Sequence, residues 1–406
     1  MRNGELIRSL AVEHEVHLFA ITWQPELHYL PANQEHCASV DYVLNTWSNR
    51  EAVGRTLRSV LAGRPLATTR FYVEEAAGKI HRFLLENDVD LIVFAESLVA
   101  PYMDAIPRNC RARTIIDFHN IASEQYRTMT RMSLGGLRQR MVHIFGAMLM
   151  RKWEGRYARR ADHCLVVSDQ EAQRLRRHAP RVPVSVVPNG VHPAGQLHPT
   201  GVLNTLLFVG TMGYAPNADA VRYFCCDILG LIRRRVPGVR LYIVGLAPPA
   251  EVRALEGTQP AHQSQALANA LSNVVVTGEV RDVHPYYENT NVVIVPLRAG
   301  GGTRIKILEA MALGRPVVST SLGCEGLEVR HREHLMIADD PEGFANSVTE
   351  LLENPQFAQQ LCRNARSLVE NRYDWALAQA QFSKICNQLC STRASAPQAI
   401  LEGVQA

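Results

Sequence analysis

Residues 291–320 read NVVIVPLRAGGGTRIKILEAMALGRPVVST. The unbroken β-branched run ending at Pro296 predicts a strand buried on both faces, as in a parallel sheet. The loop after it holds Gly300, Gly301 and Gly302 and opens into a helix beginning near Thr303. Glycines let a backbone approach a ligand closely, and the free N–H groups at a helix start favour an anion. Arg304 and Lys306 fall in the first helical turn, where positive charge opposes the helix dipole. Cations belong there when a phosphate neutralises them. Glu309, three residues beyond Lys306, stands on a neighbouring helix face as an acceptor for ribose hydroxyls. A glycine triplet alone would fit any tight loop. Strand, triplet, two cations and a carboxylate together predict a nucleoside-diphosphate site at the carboxyl end of a parallel sheet.

The same alternation extends to both sides. EVHLFAIT (15–22), DLIVFA (90–95), TIIDF (114–118) and HCLVVS (163–168) predict buried strands. Stretches 51–62, 72–86, 120–133 and 137–160 read as helices between them. A polar segment, PNGVHPAGQLHPTG (188–201), interrupts the series. It restarts with strands at 205–210, 239–245, 273–278, 291–296, 316–320 and 334–338 and helices at 217–234, 304–313 and 341–353. Two such series predict an α/β protein of two doubly wound, Rossmann-like domains facing a cleft. The domains are 1–190 and 202–375, with 191–201 as linker and 376–406 as a C-terminal helix and loose tail. A doubly wound domain ordinarily opens with a strand and a glycine turn. Here Leu6, Ile7, Leu10 and Ala11 make a helix face first, so the first domain reads as lacking its opening strand, with the true start expected upstream of Met1.

Composition narrows the function classes. With 47% hydrophobic and 20% charged residues, the 406-residue chain can bury more than one core, which excludes a disordered or coiled-coil architecture. The nine cysteines form no CxxC pair, so neither structural zinc nor a disulfide framework is expected, and a reducing cytosol is the default. No signal core and no membrane-length apolar run is present, which predicts a cytoplasmic protein, peripheral on a membrane at most. A net charge of +4, sparse aromatics and no recognition motif argue against a nucleic-acid partner. Lys306 is one of only four lysines (with Lys79, Lys152 and Lys384), which draws attention to it.

From about residue 5 to about residue 380 the chain resembles the retaining GT-B glycosyltransferases of family 4. The resemblance rests on HEVHLFA (14–20), D-x-HN (117–120), ARRADHCLVVSDQEAQRL (158–175), VPNGV (187–191) and LLFVGTMGYAPNADAVRYF (206–224). It continues through GEVRDV (278–283) and GGGTRIKILEAMALGRPVVSTSLGCEGL (300–327), as in a subgroup with a GGGTRxKxLEAMA loop. It implies that the second domain binds a nucleoside-diphosphate sugar, that the first binds the acceptor, and that transfer occurs between them. The donor contacts it implies are Gly210, Thr211, Gly213, Val280, Gly300, Gly301, Gly302, Thr303 and Glu309, with Glu309 on the ribose. The family's first glutamate would fall at Gly301, so here backbone groups of the glycine loop meet the sugar. The family's basic pair is replaced by Thr211, Met212 and Gly213, which leaves the pyrophosphate to Arg304 and Lys306.

By the same resemblance His119 holds a donor-sugar hydroxyl or the acceptor close to the anomeric carbon, making His119, Arg304 and Lys306 the catalytic set. Asp117 reads as its structural partner. No side chain stands out as a nucleophile. The resemblance implies a retaining transfer in which the departing diphosphate takes the acceptor proton on the same face. No cofactor beyond the donor sugar is expected, and no DxD or His/Asp cluster calls for a metal. The implied partners are a nucleotide sugar and a polysaccharide or lipid-linked saccharide acceptor. Two rival readings are a catalytically inert nucleotide-sugar-binding protein of a polysaccharide assembly and a nucleotide-sugar epimerase of the same shape.

The mean charge hides an asymmetry. Between Tyr126 and Arg160 nine basic residues face Glu154 alone, a net of +8 that leaves −4 for the rest. Leu137, Met141, Ile144, Phe145, Met148, Leu149 and Trp153 recur there at helical spacing. A basic amphipathic helix of this kind fits an anionic membrane surface. An Arg-rich helix packed on its own domain fits the same pattern.

Overall fold

A computed structural model describes residues 2–22, 34–45, 65–69, 71–131, 136–193, 195, 204–256 and 273–394. The helix expected at 51–62 and most of the linker lie outside them. The chain divides into two compact units: one holds the described residues within 1–126, 142–187 and 378–394, the other those within 127–141 and 188–377.

The first unit opens with helix α1 (Arg2–Leu10) and strand β1 (His17–Thr22), which pairs in parallel with β2 (Ser39–Leu44). A four-stranded parallel sheet follows, in the order β3 (Leu91–Phe94), β4 (Arg113–Phe118), β5 (His163–Val166), β6 (Val184–Val186). Strands β2 and β6 were not expected: SVDYVL carries exposed polar positions, and VSV is too short for a periodicity to register. Helices α2 (Glu74–Glu86) and α5 (Asp169–His178) lie wholly in this unit, and α3 (Ala122–Arg131) and α4 (Gly136–Ala158) lie in it through residues 122–126 and 142–158. The core forms where β-branched and aromatic residues of β4 and β5, such as Ile116, Phe118 and Val166, meet Trp153 and Tyr157 of α4.

The second unit has one six-stranded parallel sheet ordered β12–β11–β10–β7–β8–β9. These are β7 (Thr205–Val209), β8 (Arg240–Val244), β9 (Val274–Gly278), β10 (Val292–Val295), β11 (Val317–Ser319) and β12 (Met336–Ile337). All six expected strands form. Their order reverses beside β7, the first strand, as in a doubly wound sheet. Every residue of β10 is buried, the physical reason for its uninterrupted VVIV run. The helix expected at 217–234 is three segments: α6 (Ala215–Tyr223), a π-turn at Phe224–Ile228, and α7 (Leu229–Arg235). Helices α8 (Ile305–Ala312), α9 (Pro341–Glu353) and α10 (Pro355–Arg372) follow. Asp340 and Asn354 cap α9 and α10, accepting from Gly343 N and Phe357 N.

Helix α11 (Trp375–Ala394) takes in the start of the segment expected to be a loose tail. Its Gln379 donates to both the backbone and the carboxylate of Glu5, its Asn387 to Glu13 Oε2 and its Gln381 to Val186 O. The last helix is therefore tied to α1 and β6 within the first unit.

Candidate active site

The carboxyl ends of β7, β8, β9 and β10 carry the loops that the sequence singles out. Gly245, after β8, has φ of +151°, and a Cβ there would lie 1.8 Å from Gly210 O. Only glycine allows the two loops to touch, which Gly210 N to Val244 O (3.0 Å) and Met212 N to Leu246 O (2.8 Å) then bind together. Thr211 and Gly213 stay exposed at this rim while Met212 is buried beneath it. Gly278 ends β9 at φ +72°, and its carbonyl accepts from Gly245 N. Val280 just beyond it packs against the core, so only its backbone is offered to a ligand.

After β10 the glycine loop turns with Gly300 at φ +111° and Gly302 at φ +76°. A Cβ on Gly300 would press on Arg304 and on Tyr214 Oη, so this glycine keeps those two groups at the loop surface. Helix α8 begins at Ile305, which makes Arg304 its N-cap residue rather than a member of its first turn. The Arg304 guanidinium is buried and donates to Gly301 O, closing the loop. Thr303 O accepts from Ile305 N in a tight turn ahead of the helix, and Arg304 O accepts from Ile307 N at the helix start.

Lys306 projects beneath Gly210. Its Nζ donates to Asn217 Oδ1 at 3.0 Å and sits 4.1 Å from the centroid of the Phe208 ring. A Cβ on Gly210 would stand 2.7 Å from that ammonium, so the glycine also makes room for the lysine. Among the described residues the ammonium forms no ion pair with a carboxylate. Burial pushes its pKa down to about 7, Arg304 adds to the effect, and Glu309 opposes it. The Asn217 amide, the partner that orients Lys306, is held in turn by Thr211 O through Nδ2 (2.9 Å). Asn217 and Phe208 were missed because an amide and an aromatic in PNADA and LLFVG carry no charge to attract notice.

Glu309 lies one turn further along α8. Burial raises its carboxyl, against a hydrogen bond from Tyr287 Oη (3.3 Å) and the Lys306 charge. Tyr287 occupies one oxygen, and the other is available to a diol. Gly210, Thr211, Gly213, Gly300, Gly301, Gly302, Thr303, Arg304, Lys306 and Glu309 thus converge on one sheet edge, at the point where strand order reverses.

His119 belongs to the first unit, one residue past β4. Its Nε2 lies 3.4 Å from Asp117 Oδ2, without the alignment of a hydrogen bond. Asp117 is 1% exposed and receives both Nε and Nη2 of Arg2 at 2.8 Å. Burial alone would raise the Asp117 carboxyl; Arg2 and the His119 ring outweigh it and hold it below the usual carboxylate range. The loop after His119 is fastened by two buried carboxylates: Glu171 accepts from Ile121 N, and Glu154 from Ala122 N and Ser123 Oγ. Arg2 and Glu171 were not singled out in the sequence, and Glu154 only as the one acid of a basic segment, because lone charges far apart in the chain give no spacing to read.

Comparison with known proteins accords with this geometry. Residues 3–194 match the profile of Glycosyltransferase Family 4, and residues 204–354 that of Glycosyl transferases group 1. A Klebsiella pneumoniae protein described as an uncharacterized 44.6 kDa protein in the cps region is 26% identical over 169 residues, covering 42% of this chain and 42% of its own length. The phosphatidyl-myo-inositol mannosyltransferase of Mycobacterium leprae (strain TN) is 25% identical over 317 residues, 76% of this chain and 75% of that protein. Among solved structures, Anabaena HepE in complex with UDP-glucose superposes with a TM-score of 0.65 at 16% identity, covering 95% of this chain and 94% of that one. Residues 3–194 thus resemble Glycosyltransferase Family 4 and residues 204–354 resemble Glycosyl transferases group 1, and the parallel α/β sheets have the fold found in GT-B glycosyltransferases.

Proposed function

We propose that the chain is a glycosyltransferase that moves a sugar, with retention, from a nucleoside-diphosphate sugar to a polysaccharide or lipid-linked saccharide acceptor at the cytoplasmic face of a membrane. The observation that carries the reading is Lys306. A lysine crowded by protein and matched, among the described residues, only by an amide oxygen and an aromatic face is held ready for an anion from outside. With Arg304 beside it at the start of α8, the anion is a pyrophosphate. The sugar C1–O bond to the diphosphate breaks, the acceptor oxygen bonds to C1 on the same face, and the departing phosphate takes the acceptor proton. Lys306 and Arg304 stabilise the charge that develops on the leaving group. Glu309 holds the ribose, the glycine loop meets the sugar through backbone N–H groups, and no metal takes part. The UDP-glucose in the HepE complex and the mannosyl transfer named for the mycobacterial relative support this chemistry.

Calorimetry with uridine, guanosine and adenosine diphosphates tests the reading. One of them binds the native chain, and Lys306→Ala weakens that binding at least tenfold. No binding of any of the three would end the proposal. Turnover of a nucleotide sugar, lost in the same variant, separates an enzyme from an inert binding protein.

The membrane part of the proposal rests on α4. Leu137 is 77% exposed, Met148 65%, and Met141, Val142, Ile144 and Phe145 are exposed between them. Arg140, Arg151 and Lys152 on the same helix are exposed as well. An apolar ridge with basic neighbours matches an anionic bilayer surface. No helix of the described residues is long and apolar enough to cross a membrane.

A further inference from the structure

Glu96 lies two residues past the end of β3 and has a backbone φ of +138°. That region of conformational space belongs to glycine, and a side chain there is strained. The loop itself is ordinary: Glu96 N donates to Phe94 O, and Glu96 O accepts from Val99 N. Neither contact needs a side chain, so the local structure would form better with glycine. Among the described residues no hydrogen bond or ion pair of the Glu96 carboxylate repays the strain. Its electrostatic neighbours are His119 and Asp117.

The sheet explains why these groups meet. Strands β3 and β4 are parallel neighbours with Phe94 opposite Ile116, so Glu96 and His119 leave the same edge of the sheet at its carboxyl end. Carboxyl ends of parallel strands are where α/β proteins hold ligands. Asp117 cannot serve a ligand, since it is sealed and its oxygens are engaged by Arg2. Arg2 is fixed in turn by Val187 O at 3.0 Å. The Arg2–Asp117 pair is the floor beneath His119, and Glu96 is the carboxylate left beside the ring without a structural bond.

We propose that Glu96 and His119 form a hydroxyl-binding pair that holds the acceptor saccharide in the first unit, with Glu96 accepting a hydrogen bond from a sugar hydroxyl. The assignment to an acceptor rests on the glycosyl-transfer reading; the pair itself does not. A carboxylate beside an imidazole gives one acceptor and one group of either role, the set that a pair of sugar hydroxyls needs. Burial raises the Glu96 carboxyl, His119 opposes this and Asp117 reinforces it.

E96G and E96Q are compared with the native chain in three measurements. The melting temperature of E96G rises by about 2–4 °C, because glycine removes the strain and no structural bond is lost. Turnover of the nucleotide sugar that the native chain uses falls at least tenfold in both variants. Calorimetric binding of the nucleoside diphosphate that the native chain takes stays within twofold of native, because the diphosphate cations lie in the second unit. A lower melting temperature in E96G would make Glu96 a structural residue and overturn the proposal, as would turnover within threefold of native in both variants. Failure of the native chain to bind any nucleoside diphosphate would count against the transfer reading, while the melting temperature of E96G would still report on Glu96.

Discussion

With its ammonium titrating near 7, Lys306 is only partly charged in the free protein at neutral pH. A pyrophosphate beside it favours the protonated form, so binding draws a proton from solvent. Above pH 7 nucleoside-diphosphate affinity should fall by up to about tenfold per unit, and calorimetry in buffers of different ionisation enthalpy should register proton uptake. The sign for stability is opposite. An unfolded lysine keeps its proton to about pH 10.4, so between 7 and that value the unfolded chain binds more protons and stability rises with pH. Lys306→Met should remove this slope, read as melting temperature against pH, and abolish the proton uptake. Arg2 poses a different balance. Arg2→Ala would leave Asp117 buried and unpaired, at a cost of about 3–5 kcal/mol read by denaturant unfolding. Lys306 could be found from the sequence because a rare lysine stood in a motif. Arg2 and Glu96 could not, since their meaning lies in residues 115 and 23 positions away that only the sheet brings near.

Helix α4 does two jobs along its length. Its C-terminal half is buried through Met150, Trp153, Glu154 and Tyr157, and Glu154 accepts from the N-terminus of α3. Burial lifts the Glu154 carboxyl to about 7, although hydrogen bonds from Ser123 and Ala122 pull it down. Unfolded, it would titrate near 4.3, so across that interval the folded state holds more protons and stability falls as pH rises. Glu154→Gln should flatten this dependence, as melting temperature against pH would record. The N-terminal half turns Leu137, Met141, Phe145 and Met148 to solvent. Phe145→Glu with Met148→Glu should abolish sedimentation with vesicles containing an anionic lipid while leaving the fold intact; vesicle binding absent in the native chain at low salt would remove the membrane assignment. Sequence spacing predicted the helix and its apolar members. It could not say which of them face a core, because a helical repeat has the same period whether a protein interior or a bilayer lies beside it.

Across both units the strands were the most legible feature. Continuous VVIV and TLLFV runs fit strands covered on both faces, and their alternation with helices implies a parallel, doubly wound architecture. The glycine loop with Arg304, Lys306 and Glu309 was equally clear, because the chemistry sits within ten consecutive residues. Gly245 shows the boundary of such reading: a lone glycine after a strand, it permits a backbone contact with a loop 35 residues away, and Gly245→Ala should cost at least about 3 kcal/mol and most of the nucleotide affinity, measured by unfolding and calorimetry. Local chemistry and periodicity were therefore enough for most of the strands and helices, the sheet class and the place of the glycine loop after β10. Folding alone settled that Asn217 and Phe208 surround Lys306, that Arg2 neutralises Asp117, that Glu96 stands strained beside His119, and that the apolar ridge of α4 faces outward. Each of these depends on which strands become neighbours, and neighbour choice is a sum over the whole packed sheet that no short window of sequence contains.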